Sequence, residues 1–80
     1  MNKIEIKNDN GILQFEAIQS KYEAQIKEAK ANLGLYFNNP VAIGEHSDMQ
    51  PEYDKWIEQL ATASDKLEVL KINFFIELEN

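Results

Sequence analysis

The 80-residue chain has no cysteine and no arginine, a single histidine, two prolines and three glycines. Without cysteine it has neither a disulfide framework nor a thiolate metal site, so stability has to come from packing. Without arginine it lacks the planar donor that reads phosphates and guanine edges in pairs. The net charge of -6 adds a field that repels nucleic acid and anionic lipid, so neither direct nucleic-acid binding nor membrane attachment is expected. No stretch approaches the roughly 18 consecutive apolar residues that cross a bilayer, and Met1–Lys7 lacks the apolar block of a secretory signal, which predicts a cytoplasmic protein.

What is present suits a folded domain: 44% of residues are hydrophobic and 28% charged. The length allows one domain, residues 1–80, close to the lower limit at which one core outweighs chain entropy. Charge is unevenly placed. Lysines and acids balance from Met1 to Gly44, and Glu45 onward carries the whole excess, which would turn a basic partner toward the second half.

Apolar residues at Phe15, Ile18, Tyr22, Ile26, Ala29, Leu33 and Phe37 recur at steps of three and four, which predicts an amphipathic helix over about 12–37. Asn38 and Asn39 can adopt the left-handed conformation that closes a helix, and Pro40 bars continuation. A second helix over about 48–77 follows from the unbroken heptad seam Met49, Tyr53, Trp56, Leu60, Ala63, Leu67, Leu70 and Phe74. Ser47 or Asp48 is its expected cap, with Pro51 in the first turn. Small Ala63 leaves room for Tyr22 or Ile26 in an antiparallel pairing. The connector 38–47 carries Val41 and Ile43, which should fold down over the aromatics Tyr36, Phe37, Tyr53 and Trp56.

The two ends read in two ways. Residues 1–10 form an extended arm leading into a helix cap at Asn8, Asp9 or Asn10, or else residues 2–7 and 12–16 make a hairpin about Asn10-Gly11; the arm is preferred. Ile72, Phe74, Ile76 and Leu78 alternate as in a strand able to pair with residues 3–7, but the heptads reach Phe74, and helix through about 77 is preferred. The sum is an all-α antiparallel helical hairpin with a structured connector. Val69, Ile72, Phe75 and Ile76 lie on faces that one neighbouring helix cannot cover, so dimerisation into a four-helix bundle is expected.

No catalytic constellation assembles from the spacing. Glu45, His46 and Asp48 invite a metal or proton-transfer reading, yet no second histidine or cysteine exists to complete a transition-metal shell. Gly44 stands alone, so no phosphate-cradling loop is present. Neither a cofactor nor a small-molecule substrate is implied. The residues with the composition of an interaction surface are Glu45, His46, Glu52, Tyr53, Trp56 and Glu58, acidic and aromatic side chains around the connector.

The run Tyr36-Phe37-Asn38-Asn39-Pro40-Val41-Ala42-Ile43-Gly44-Glu45-His46-Ser47-Asp48 and the later Asp65-Lys66-Leu67-Glu68-Val69-Leu70 carry a resemblance. Over residues 33–75 the chain resembles small uncharacterised proteins encoded by tailed bacteriophages of marine bacteria. That resemblance implies an accessory or host-directed factor in the cytoplasm of an infected bacterium, and no particular activity. The expectation is a non-enzymatic protein-protein interaction module. An acidic mimic that blocks a nucleic-acid-binding host protein and a small metal-dependent protein centred on His46 stand as alternatives.

Overall fold

A computed structural model describes residues 2–39 and 49–77. Four elements follow in chain order: β1 (Ile4–Glu5), α1 (Asp9–Asn38), α2 (Gln50–Asn73) and β2 (Phe74–Phe75). The two helices pack against each other as a hairpin. Tyr36 near the end of α1 meets Tyr53 near the start of α2, Gln25 meets Gln59, and Tyr22 meets Lys66, so the helices run antiparallel. Ala63 is 1% exposed and lies between Gln59 and Lys66, level with the Tyr22–Ile26 stretch, where the heptad reading puts its large counterpart.

α1 starts at Asp9 rather than near residue 12. Asn8 is extended (φ -71°, ψ 132°) and its Oδ1 accepts from the Gly11 amide at 3.0 Å, satisfying one of the amides left free at a helix start. With Asn8 as cap, Asn10 and Gly11 are helical and the alternative hairpin of 2–7 with 12–16 does not form. The arm instead doubles back over the first turn. A Cβ on Gly11 would stand 3.2 Å from Cγ2 of Ile6, so the missing side chain is what lets the arm lie this close.

The C-terminal expectation needs correction. α2 ends at Asn73, not near 77, and Phe74–Phe75 pair in parallel with Ile4–Glu5, Ile4 opposite Phe74 and Glu5 opposite Phe75. The Ile6 amide continues the ladder by donating to the Phe75 carbonyl at 2.9 Å. Branched and aromatic side chains lose rotamer freedom in a helix and suit a pleated strand. The Ile72–Ile76 run is made of them apart from Asn73, whose Nδ2 donates back to the Val69 carbonyl at 2.7 Å. Phe74 stays half-buried because the first residue past the helix still lies along its seam, which is why the heptads ran on through a strand residue.

Two smaller boundaries differ. The cap position of α2 is held by Met49, which makes no side-chain capping bond, while Ser47 and Asp48 lie outside the described residues; Pro51 is in the first turn as expected. α1 closes without a left-handed residue, since Asn39 has φ -146° and ψ 73°. Proline at position 40 disfavours helical backbone in the residue before it, which accounts for the extended geometry. The packed row on α1 also ends on Tyr36 rather than Phe37, which is 64% exposed.

Gly34 sits in α1 with no atom within 4 Å of the place a Cβ would take. Gly34→Ala should therefore stabilise the hairpin by about 0.4–1 kcal/mol, because the unfolded chain loses freedom and the folded one meets no obstacle. Urea unfolding followed by circular dichroism would show this as a higher midpoint; a lower one would mean that the helix end needs glycine.

Candidate interaction surface

The connector end of the hairpin is held by three hydroxyl and indole contacts centred on Tyr36. The Tyr53 hydroxyl donates to the Tyr36 carbonyl at 3.0 Å. That carbonyl is one of the last four of α1, which have no partner within their own helix, so a side chain of α2 closes the end of α1. The Trp56 indole N–H donates to the Tyr36 hydroxyl at 3.3 Å, and that hydroxyl donates on to Oε2 of Glu52 at a long 3.4 Å. The rings pack as well: Tyr53 meets Tyr36 edge-on with centroids 5.9 Å apart, and Phe37 lies over Tyr53 at 4.6 Å.

Of the six side chains singled out from the sequence, Glu52, Tyr53 and Trp56 are thus brought together, and all three are half-buried. Their contacts join the two helices. Glu58 is apart from them, exposed on the rim of a shallow polar depression of about 260 Å³ with Lys55, Gln59 and Lys66. Glu45 and His46 lie outside the described residues, as does the Val41–Ile43 plug. Among the described residues no group of three or more histidine, aspartate or glutamate side chains is placed to hold a metal ion.

Phe37, one of the four aromatics that the sequence places around the connector, leaves most of its ring in water beside Tyr53, which makes it the large apolar group on offer at this end. Gln59 is a contributor with no such signal in the sequence. Gln59 donates to the Gln25 carbonyl at 3.0 Å and to Oε1 of Glu28 at 2.9 Å, a polar cross-link between the helices. The position just before Leu60 in the seam marks Gln59 as a flanking residue, but a glutamine there looks like any solvated side chain until its partner's register is known.

Chemically, this end offers an exposed aromatic ring, a carboxylate and one flanking lysine: Lys55 Nζ lies 4.7 Å from the centre of the Trp56 ring. Such a surface binds by apolar and charge contact. The fold is that of an all-α helical hairpin, and no helix among the described residues is long and apolar enough to cross a membrane. No protein-family model, curated protein or solved structure matches the chain.

Proposed function

We propose that the protein acts by protein-protein contact, without catalysis of its own, and that its first partner is a second copy of itself. The observation that carries this reading is how little the hairpin buries. Among the described residues only Ala29, Leu33 and Ala63 are buried, and no large side chain is fully enclosed. Leu13, Phe37, Val69 and Ile4 are each more than half exposed. Covering one large apolar side chain contributes about 1.5–3 kcal/mol, so a few of them on one face favour association strongly.

The acidic half of the chain supports a basic protein as the further partner. Asp54, Glu58 and Asp65, spaced four and seven apart, are all exposed and project from the side of α2 that faces away from α1. Lys55, Lys66 and Lys71 fall on its flanks. This geometry suits an accessory factor that presents carboxylates at helical intervals.

Sedimentation equilibrium tests the self-association directly: a dimer is expected at tens of micromolar protein, and a monomer throughout that range would overturn the reading. For the acidic face, capture from a bacterial lysate should retain basic proteins that elute with salt; retention insensitive to salt would count against it.

A further inference from the structure

We propose that the second copy docks on the outward face of α1, with the two α1 helices antiparallel about a two-fold axis at Ala24. This rests on the association reading above and names the face and the register.

α2 covers one side of α1. On the opposite side stand Leu13, 64% exposed, and Leu35, 48% exposed, with the exposed alanines Ala17, Ala24 and Ala31 between them. At about 100° per residue these five positions fall within an arc of roughly 40°, a narrow apolar row along the side of α1 away from α2. The row is also symmetric in sequence. Leu13 and Leu35 are equidistant from Ala24, and so are Ala17 and Ala31. Two copies laid antiparallel about Ala24 place Leu13 against Leu35 of the second copy, Ala17 against Ala31, and Ala24 against itself. Small side chains in the middle let the axes approach to about 8 Å, and a leucine pair closes each end.

Charge selects the same arrangement. Lys21 and Glu28 flank the row on one edge, a heptad apart, and both are exposed. In this register each Lys21 comes beside Glu28 of the other copy, twice by symmetry. Sliding the antiparallel pair by one heptad brings Lys21 beside Lys21 or Glu28 beside Glu28, and parallel pairing sets this edge against the opposite one, so Lys21 and Glu28 no longer meet. The Glu28 carboxylate is already oriented, since its Oε1 accepts from Gln59 at 2.9 Å, which leaves Oε2 for the lysine. Helices in contact from Leu13 to Leu35, about 33 Å, bury on the order of 1,000–1,300 Å² in total, at the lower edge of what stable dimers use. The product is a flat layer of four helices with each α2 outermost and its carboxylates free.

The absence of cysteine makes the test direct, because Ala24→Cys introduces the sole thiol. On mild oxidation it should cross-link into a disulfide dimer, whereas Ile57→Cys, an exposed position on α2, should not. Lys21→Glu and Glu28→Lys should each weaken self-association about tenfold or more by turning two attractive pairs into two repulsive ones. Mixing the two variants should restore dimers, now heterodimers, and this rescue also shows that both remain folded. If wild type is dimeric but Ala24→Cys fails to cross-link, or the mixture associates no better than either variant alone, the α1 face is wrong and the association reading survives. A monomeric wild type overturns both.

Discussion

Leu33→Ala is expected to lower the unfolding free energy by about 2–3 kcal/mol, the lower part of the range for leucine truncation in a core. Leu33 is 8% exposed and is the largest of the three buried side chains among the described residues. Its removal takes away the apolar burial of most of a side chain and leaves a gap that two helices can only partly close. The lower part of the range applies because a two-helix layer has water close by on both sides, so the site collapses more readily than one deep in a globular core. An 80-residue domain has about 4–12 kcal/mol in all, so the change is a large fraction of the total. It corresponds to a drop in Tm of roughly 10–20 °C at this size. Thermal and urea unfolding at several protein concentrations would separate this loss from any linked loss of association. A cost under about 1 kcal/mol would mean that the helices are not held together at this point. Leu35→Ala supplies the contrast: with Leu35 half exposed, the same truncation should alter the hairpin little and the dimer markedly.

That contrast also shows what could be read from the chain. Both helices were legible because their apolar spacing is governed by one local rule, the 3.6-residue turn, which holds whatever the partner is. Phe15, Tyr22, Ile26 and Leu33 on α1, and Tyr53 through Leu70 on α2, face one another as that rule requires. The end of α2 was not legible in the same way. At Phe74 a heptad and a strand alternation coincide, and what decides between them is the distant arm, whose Ile6 amide reaches the Phe75 carbonyl. Local pattern contains no information about that pairing. The start of α1 posed a similar choice between an Asn-Gly turn and an Asn cap. It was settled by the bond from the Gly11 amide to Asn8.

The candidate surface was legible in composition and only partly in role. Tyr53, Trp56 and Glu52 were recognisable as aromatic and acidic residues near the connector, but their half-buried contacts with Tyr36 make them a clasp between the helices first. Whether a tyrosine is a clasp or a contact depends on which carbonyl stands 3 Å from its hydroxyl, and that follows from the helix register. Phe37 shows the converse. One residue beyond Tyr36, it falls in the seam on a step of four from Leu33, whereas the helix takes the step of three and leaves most of the ring in water.

Ala29→Leu should destabilise the hairpin by about 1–3 kcal/mol, while Ala61→Leu should stay within about 0.5 kcal/mol of wild type. Alanine and leucine differ little in helix propensity, so the comparison isolates packing. Ala29 is 0% exposed, and with Ala63 at 1% it marks where the helix axes come closest. An isobutyl group there has no space of its own, and the helices must separate or rotate to admit it. Separation has a specific consequence one turn away, where Gln59 spans the gap to the Gln25 carbonyl at 3.0 Å and to Glu28 at 2.9 Å. Pulling the axes apart by even 1 Å takes both bonds beyond useful length, so a polar cross-link is lost along with the packing. Ala61 is exposed on α2, and leucine there meets only water. Urea midpoints for the two variants, measured at one protein concentration, check the difference. Equal midpoints would mean that the spacing of the hairpin is not set by its buried alanines. A lower midpoint for Ala29→Leu alone would make the methyl contact, rather than the aromatic clasp, the feature that fixes how the two helices lie.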